Sequence, residues 1–411
     1  MSADPCDRQH KGRELLSYPA ALALLAREVQ TLARPAEPVP LLAALGRVLR
    51  APVALDRDEP PVARSAMDGY AVRSADGGAP RRLAGTVYAG TAESVPVGPG
   101  EAVAVMTGGT LAPGADAVVP VELTQPAGGL VQVQAAPKPG QNVRRAGEMG
   151  AAGRVLLQPG RVLTAADLSA AAGCGADPLP VAPRPRVAIL SSGDEVVAWT
   201  QQPQPHQVRD SNRLAAALQA QRAGGEVVAS RRVPDHLEEL RAALAGALER
   251  ADLIVTIGGV SMGEKDLLPQ AFAALDVEEL LHGVSVQPGK PVWVGRRGDQ
   301  WVLGLPGNPV SAYVILELFG VPMLRRLAGA AQELPRALEA GRAGGPARAG
   351  GRERFLAADL RVSAAGEVVV TARPEAGSGD WTCLALAEAL LHVPADTRLQ
   401  AGDPVRFLRL S

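Results

Sequence analysis

The sequence predicts a multidomain α/β protein, and three observations lead to this fold class. The chain has 411 residues, more than one hydrophobic core usually organises, so two to four domains are expected. Strand-like apolar runs alternate with helical patterns between residues 183 and 327, which predicts a doubly wound, mostly parallel sheet with helices on both faces. Residues 54–153 contain short apolar runs among many Gly, Pro and Val residues, which is typical of a β-rich insert.

The segments on either side of the β-rich insert are predicted to fold together. Apolar residues at helical spacing predict a helix over residues 13–34 and a second, short helix over 41–49. Residues 154–180 return to a helical composition centred on 165–172. Because both flanks are helical, residues 13–53 and 154–182 are expected to form one discontinuous helical linking domain, with the insert at 54–153 between them.

The doubly wound domain is assigned to residues 183–327. Its predicted strands lie at 186–190, 226–233, 253–257 and 301–305, with short β pieces at 284–286 and 292–294. Its predicted helices lie at 210–224, 235–249 and 310–327. Asp210 or Ser211 is the expected cap of the first of these helices, and Asp235 that of the second.

The remaining residues, 328–411, are predicted to form a small C-terminal β domain. Residues 328–350 are rich in Ala, Gly, Arg and Pro and are interpreted as a linker. Strands are expected at 352–360, 367–371 and 405–410, and a short helix at 384–391.

Composition and charge argue against several classes of protein. A net charge of −1 gives no basic surface for nucleic acid or for an anionic membrane. The N-terminus lacks the apolar region of a signal peptide, and no apolar run reaches transmembrane length. Cys6, Cys174 and Cys383 are too few and too widely spaced for a disulfide framework or a cysteine metal site. A reducing, cytoplasmic location is therefore expected.

Three predicted strands end in small, polar or Gly-containing turns, at 191–195, 258–266 and 306–311. In a doubly wound sheet the ligand lies beyond the carboxyl ends of the strands. The turn at Gly258 and Gly259 would leave backbone N–H groups open to an anion, and carboxylates beside an anion site suggest a cation. Together, the three turns form one rim of the predicted sheet and predict a ligand that carries phosphate. For residues 258–259 taken alone, the alternative is an ordinary turn between a strand and a helix. The rim residues are Asp194, Glu195, Ser261, Asp266, Asn308 and Ser311.

The β-rich insert carries three polar segments, at 64–71, 106–109 and 142–148. The first contains Asp68-Gly69, which indicates a turn, so a surface hairpin is the alternative to a functional role. The third contains Arg144 and Arg145, which either form a solvated surface or bind a phosphate or carboxylate.

Seven segments occur in a fixed order along the chain: SAMDGYA, GQNVRRAGE, SSGDEV, RDSNR, GGVSMGEKD, PGKP and LPGNPVSA. With this combination the chain resembles the molybdopterin molybdenumtransferase family over residues 15–410. The same enzyme forms the E domain of the eukaryotic scaffold gephyrin, and the doubly wound part alone resembles molybdopterin adenylyltransferase. The resemblance implies an enzyme that inserts molybdate into adenylylated molybdopterin and releases AMP, assisted by Mg²⁺ or a similar divalent cation.

The resemblance also implies an assembly. The subunit would be elongated with four domains, and two subunits would form a homodimer. Each active site would lie between the doubly wound domain of one subunit and the β-rich insert of the other. The adenylyltransferase and other proteins of cofactor synthesis are the further partners that it suggests.

The family's functional residues map onto matching positions of this sequence. Asp68 and Thr107 would reach the site from the partner subunit, whereas Glu195, Asp235 and Asp266 would surround nucleotide, pterin and metal. Glu195 and Asp266 would hold the cation, and Asp266→Ala is expected to abolish AMP release. The molybdate group would comprise Lys290, Ser311, Arg352 and Ser378, whose charged and hydroxyl groups suit an oxyanion. The substrate-binding set would comprise Gly258, Gly259, Ser261, Gly263, Asp194, Asn212, Pro306, Asn308 and Pro309.

Two positions depart from the family pattern. Met149 follows the GQNVRRAGE segment where many relatives have an acidic residue, and Gln287 precedes PGK where many have Lys or Arg. Because of these two departures, a ligand-binding protein that has lost its enzymatic activity is an alternative interpretation. The sequence also leaves open an adenylyltransferase-like enzyme and a non-catalytic molybdopterin-binding scaffold. No histidine lies in a motif, so catalysis is expected from positioning and electrostatics.

Overall fold

A computed structural model describes residues 15–91, 95–260, 267–331 and 337–410. The N-terminal segment forms α1 (Tyr18–Glu28), β1 (Glu37–Val39) and β2 (Val53–Ala54). The Ser17 hydroxyl caps α1 by accepting a hydrogen bond from the Ala20 N–H at 3.3 Å.

Two predictions for the N-terminal segment are wrong. Helix α1 is shorter than the predicted helix over 13–34, because the chain turns to extended backbone at Val29. The helix predicted over 41–49 is a single 3₁₀ turn, Leu41–Ala43. Pro40 precedes this turn in an extended conformation, and Gly46, with φ of 72°, follows it, so the helix cannot propagate.

Outside residues 92–94, the middle of the chain is built from eight short strands. They are β3 (Arg64–Ser65), β4 (Gly69–Val72), β5 (Arg81–Val87), β6 (Glu101–Val105), β7 (Ala117–Pro120), β8 (Thr124–Ala127), β9 (Leu130–Val133) and β10 (Val143–Arg144). Six of them form a sheet in the order β7-β4-β6-β5-β9-β8, and β3 pairs with β10. Buried Val and Ala side chains between these strands form the core, which confirms a β-rich region.

The chain then returns to its N-terminal segment through β11 (Val155–Leu157), α2 (Ala165–Gly173) and β12 (Leu179–Val181). Strand β11 pairs with β2, and β12 pairs with β1, both antiparallel. A reciprocal capping box between Thr164 and Asp167 begins α2. This region holds strand ladders as well as helices, and the boundaries of the linking domain stay a prediction.

Residues 186–327 form the doubly wound part. Its strands are β13 (Arg186–Ser192), β14 (Val196–Val197), β15 (Val208–Arg209), β16 (Glu226–Val233), β17 (Leu253–Ile257), β18 (Glu278–His282), β19 (Val286–Gln287), β20 (Trp293–Arg297) and β21 (Gln300–Leu305). Its helices are α3 (Ser211–Arg222), α4 (Leu237–Leu248), α5 (Leu268–Ala273), α6 (Pro309–Ile315) and α7 (Val321–Leu327). A π-helical turn, Leu316–Gly320, joins the last two.

The main sheet has the strand order β16-β13-β17-β21-β20-β18. The pairings among the first four strands are parallel, and the pairings of β20 are antiparallel. Alternation along β13 separates two cores: Val187 and Ile189 pack with α3 and α6, whereas Ala188 and Leu190 pack with α4 and α5. The predicted mostly parallel sheet with helices on both faces is confirmed.

The described residues of the C-terminal part, 337–410, form seven strands. They are β22 (Glu339–Ala343), β23 (Ala347–Arg348), β24 (Glu353–Val362), β25 (Val368–Ala372), β26 (Ala389–Val393), β27 (Arg398–Leu399) and β28 (Pro404–Arg409). Strands β24, β25, β22, β28 and β26 pair in that order, and β26 pairs back with β24, so they close into a small barrel. Strand β19 of the doubly wound part pairs in parallel with the first two residues of β24.

Two expectations for the C-terminal part are corrected. The described part of the segment interpreted as a linker contains β22 and β23. The helix predicted over 384–391 is wrong, because a 3₁₀ turn, Trp381–Leu384, leads into strand β26. Leu390 and Leu391 point to opposite faces of β26, and both are buried because each face packs in its own core, Leu390 with Phe355 and Leu391 with Phe407. Closure of the barrel therefore overrides the helical pattern.

Candidate active site

A groove of about 1070 Å³ lies at the carboxyl ends of β13, β17 and β21. Its walls include the turns that follow these strands, where the sequence predicted the ligand rim. Of the predicted site residues, the groove is lined by Glu195, Asn212, Asp235, Gly258, Gly259, Pro306, Asn308 and Pro309.

Two glycine turns form the base of the groove. Gly258 and Gly259 have φ of 89° and 62°, a conformation that L side chains rarely adopt. A Cβ atom at Gly307 would lie 3.7 Å from the Gly258 Cα, so the turns after β17 and β21 approach closely. Because these glycines have no side chains, an anion can approach the backbone N–H groups of the two turns without steric hindrance.

A buried carboxylate fixes the beginning of α3 against the end of β13. Asp210 is 3% exposed and accepts hydrogen bonds from the Ser191 hydroxyl at 2.7 Å and from the Arg213 N–H and Nε at 3.1 and 2.6 Å. Asp210 is therefore the helix cap. The anchored helix holds Asn212 so that its amide donates to the Gly307 carbonyl at 2.7 Å, which ties α3 to the second glycine turn.

Carboxylates gather on one wall of the groove. Burial raises the pKa of Asp235, and the negative charges of Asp194 and Glu195 raise it further, against a hydrogen bond with Ser192. Asp235 does not cap α4: the residue at the cap is His236, whose side chain makes no capping bond. The conformation of residues 234–236 instead places the Asp235 carboxyl in the groove. Asp194 is exposed and influences the site through its charge.

The predicted molybdate residues lie behind the rim. Ser378 is bound to the turn after β21, because the Asn308 amide donates to its hydroxyl at 2.9 Å and the Val310 N–H donates to its carbonyl at 3.0 Å. Lys290 and Ser311 are each 4% exposed, and Arg352 is half-buried. The described residues that line the groove do not include these four.

Asp68 and Thr107 form a pair on the β-rich part. The Asp68 carboxylate accepts from the Thr107 N–H at 2.6 Å and from its hydroxyl at 2.7 Å, and these two bonds lower the Asp68 pKa. Both residues are exposed, and neither lines the groove of the same chain. Gly69 begins strand β4 and does not sit in a hairpin turn: a Cβ there would lie 2.1 Å from the Val119 carbonyl oxygen.

The two arginines of the 142–148 segment are exposed. The Arg145 N–H donates to the Glu148 carboxylate at 2.9 Å, and the Arg144 guanidinium lies 3.9 Å from that carboxylate. The exposure of both side chains, and the local ion pair of the Arg144 guanidinium, favour the solvated-surface interpretation. Ser261, Gly263 and Asp266 lie outside the described residues, so the structure does not place them.

Sequence reasoning missed several groove residues, among them Ser192, Trp199, Gly307 and Trp381. Trp199 and Trp381 are 41% and 59% exposed, and each follows a Gly-containing polar turn. Single exposed apolar residues are common on protein surfaces, so nothing in the local sequence could have assigned these two rings to the groove.

Among the described residues, no three His, Cys, Asp or Glu side chains are close enough to hold a metal ion together. Within the same part of the chain, no helix combines the length and apolar character needed to cross a membrane.

Comparisons with known proteins cover nearly the whole chain. Residues 16–175 match the MoeA N-terminal region (domain I and II), residues 188–326 a probable molybdopterin binding domain, and residues 345–410 the MoeA C-terminal region (domain IV). Molybdopterin molybdenumtransferase 2 of Mycobacterium tuberculosis is 36% identical over 384 residues, which cover 89% of this chain and 94% of the relative. Molybdopterin molybdenumtransferase of Synechococcus elongatus is 39% identical over 323 residues, which cover 75% and 80%.

Solved structures agree with these sequence matches. A molybdopterin biosynthesis moeA protein from Pyrococcus horikoshii OT3 superposes with a TM-score of 0.82 at 25% identity, covering 96% of this chain and 100% of that one. A second moeA structure from the same genus gives a TM-score of 0.77 at 27% identity, with coverages of 97% and 100%. The seven ordered segments, the groove and these matches lead to one conclusion: the chain belongs to the molybdopterin molybdenumtransferase family.

Proposed function

We propose that the protein is a molybdopterin molybdenumtransferase, which inserts molybdate into adenylylated molybdopterin and releases AMP. The observation that carries this proposal is the groove, which is lined both by the bare glycine turns after β17 and β21 and by the carboxylates of Glu195 and Asp235. Both features suit a substrate that contains a phosphoanhydride, and the two relatives described above are named molybdopterin molybdenumtransferase.

The protein's own groups act mainly by positioning. Gly258, Gly259 and Gly307 offer backbone to the phosphates, and Asn212 holds the two turns in place. In the chemical step a water oxygen bonds to phosphorus, the bridging P–O bond breaks, and AMP leaves while molybdopterin retains its phosphate. Negative charge develops on the bridging oxygen, so electrostatic stabilisation is what the site must supply.

The carboxylate wall fits a divalent cation shared with the substrate. Burial, followed by the negative charges of Asp194 and Glu195, raises the pKa of Asp235, and a bound cation would offset the repulsion among these carboxylates. Mg²⁺ is usually held by one or two carboxylates together with substrate phosphates. Glu195 would hold it here together with Asp266, as the family resemblance implies, and Asp235 lines the same groove as Glu195. When bound, the ion would neutralise charge on the phosphoanhydride.

We assign molybdate to Lys290, Ser311, Arg352 and Ser378. Two cationic side chains and two hydroxyls can surround a tetrahedral oxyanion through charge-assisted hydrogen bonds. The bond between Ser378 and Asn308 supports the assignment, because it brings the C-terminal part to the rim of the groove.

The position of Asp68 supports a homodimer. The Asp68–Thr107 pair is exposed on the β-rich part and does not line the groove of its own chain. We infer that the pair completes the groove of a second subunit, and that the protein works in the cytoplasm, where the adenylyltransferase would supply its substrate.

The test is AMP release from purified adenylylated molybdopterin with Mg²⁺, with and without molybdate. We expect molybdate-dependent AMP release together with formation of active cofactor, and a large loss in Asp235→Asn. Consumption of MgATP with free molybdopterin would instead indicate an adenylyltransferase. Tight binding without AMP release would contradict the proposal, and Met149→Asp and Gln287→Lys would then show whether the two departures abolish activity.

A further inference from the structure

A histidine that no sequence motif contains lies behind the glycine turn after β17. His282 ends strand β18, and 5% of its side chain is exposed. Its Nε2 atom lies 3.2 Å from the carbonyl oxygen of Val260, which directly follows Gly258 and Gly259. The described residues that line the groove include Val260 but not His282, so the ring reaches the turn from the side away from the ligand. Because a carbonyl oxygen can only accept, Nε2 carries the proton of this hydrogen bond.

A carboxylate faces the other nitrogen of the ring. The His282 Nδ1 atom lies 3.5 Å from the Glu279 Oε2 atom, and the same oxygen accepts from the Trp293 indole N–H at 3.0 Å. Trp293 is 2% exposed and packs on Phe272 with the ring centroids 4.2 Å apart, so the indole that holds Glu279 is fixed in the core. The polar contacts therefore run without a break from a core indole to the glycine turn.

An irregularity in β18 makes this arrangement possible. Side chains three residues apart on a regular strand point to opposite faces. The pairing of β18 with β20 shifts register between Glu279 and Leu281, so Leu280 is an extra residue in the strand. The extra residue brings Glu279 and His282 to the same face. Bulges of this kind often redirect a side chain beside a functional site.

The side chain of Val260 is fixed separately from its carbonyl. Val260 is 1% exposed and packs against β21, where a Cβ atom at Gly304 would lie 2.6 Å from the Val260 Cγ1 atom. Packing of the side chain does not set the direction of the carbonyl, because the two preceding glycines allow the backbone of the turn many conformations. The bond to His282 sets that direction. A carbonyl oxygen turned into the groove would repel a phosphate group through its partial negative charge.

We propose that His282 is a positioning residue for the glycine turn, and that it acts through the Val260 carbonyl and is oriented by Glu279. The inference rests on the proposed function, which assigns the phosphates of the substrate to this turn. The bond to His282 holds the negative end of the Val260 peptide away from the groove, so that the anion meets the bare backbone of the turn. A group that binds by position loses much of its effect when it moves by about 1 Å.

Steady-state AMP release from adenylylated molybdopterin, with saturating Mg²⁺ and molybdate, tests this role. His282→Phe keeps a ring of similar size that cannot donate, and we expect a higher KM and a kcat/KM lowered about 10- to 100-fold, as a displacement of about 1 Å produces. His282→Gln keeps a side-chain N–H of similar reach and is expected to stay within a few-fold of the wild type. Glu279→Ala changes an exposed residue and should raise KM by a smaller factor than His282→Phe.

Thr31→Val is the matched control for loss of a side-chain hydrogen bond to a backbone carbonyl. The Thr31 hydroxyl donates to the Arg326 carbonyl at 3.3 Å, and neither residue is among the described residues that line the groove. Partial unfolding lowers the apparent kcat and leaves KM unchanged, so KM separates a positioning role from a purely structural one. Thr31→Val is expected to keep the wild-type KM.

An unchanged KM in His282→Phe, or equal losses in His282→Phe and His282→Gln, would overturn the positioning role, while AMP release by the wild type would uphold the proposed function. If His282→Phe does not fold, an unchanged KM in Glu279→Ala overturns the role instead. If the wild type releases no AMP, calorimetric titration of AMP replaces the kinetic assay. A Kd raised in His282→Phe and restored in His282→Gln would then support the positioning role without the proposed activity. Equal affinities, or no AMP binding, would overturn both.

Discussion

At the scale of single residues, Asp68 and Gly69 show why a local motif needs its surroundings. Asp-Gly indicates a turn, yet Gly69 is required by the close approach of the Val119 carbonyl across two paired strands. Asp68, just before the strand, is then held by Thr107 from another loop. The sequence could predict that both residues matter, from their resemblance to family motifs, but not that one hydrogen-bonded pair joins two of the motifs.

Removing the Thr107 hydroxyl should change the titration of Asp68 in a defined way. An unperturbed Asp has a pKa of 3.8, and the pKa of Asp68 is lower because Thr107 donates to the ionised carboxylate. The ionised carboxylate therefore stabilises the folded state fully above pH 3.8, and this stabilisation is lost as the pH falls through the lowered pKa. In Thr107→Val the backbone N–H, which is the larger cause, remains. We expect the pKa to rise but to stay below 3.8 in a carboxyl NMR titration. Thr397→Val, whose hydroxyl bonds only locally, should leave Asp68 unchanged, and an unaltered Asp68 pKa in Thr107→Val would contradict the pairing.

At the scale of elements, the predicted strands at 352–360, 367–371 and 405–410 of the C-terminal part agree with β24, β25 and β28 to within two residues, whereas the helix predicted over 384–391 is wrong. Strands β16 and β17 have the predicted bounds because their sequences lie between clear turn and helix signals. Residues 384–391 carry a helical pattern, but β26 forms there because its partners β24 and β28 come from distant parts of the chain. Long-range pairing is not visible in local periodicity, and the same limit explains why Trp381 was not predicted at the groove.

The segment before β20 depends on how closely it packs against α6. Gly289 has φ of 120°, and a Cβ atom there would lie 2.2 Å from Ile315 Cγ1. Gly289→Ala should therefore displace the segment that carries Lys290 and lower the free energy of unfolding by about 2–4 kcal/mol, measured by urea denaturation. Gly350→Ala is a matched control, because nothing lies within 4 Å of its Cβ position, and its effect should stay within about 0.5 kcal/mol. Equal stabilities of the two variants would refute this account.

At the scale of the whole molecule, each chain contains both parts of the proposed site, but these two parts do not meet within one chain. The groove belongs to the doubly wound part, and the Asp68–Thr107 pair belongs to the β-rich part. The sequence predicted the strand-end rim from topology, while the cross-subunit arrangement comes only from the family resemblance. A symmetric dimer would supply two copies of each half and so two complete sites.

Mixing two inactive variants tests this arrangement. Asp68→Ala removes the contribution of the β-rich part, and Asp235→Asn removes that of the groove. If the two act across subunits, random mixing by co-expression should restore about a quarter of wild-type AMP release, because half of the dimers are mixed and each has one intact site. No recovery, with mixed dimers verified by mass spectrometry, would mean that both residues serve the same subunit's site.

The return of the chain from β10 to β11 and β12 also constrains the order of folding. Strands β1 and β2 can pair with β12 and β11 only after the whole β-rich part has been synthesised. A loop of that length is entropically costly to close while it is unfolded. The β-rich part contains its own pairing of β3 with β10, which brings its two ends together. We therefore expect the β-rich part to fold first during synthesis. Its folding would bring the segment with β1 and β2 close to the segment with β11 and β12, so that these strands can pair.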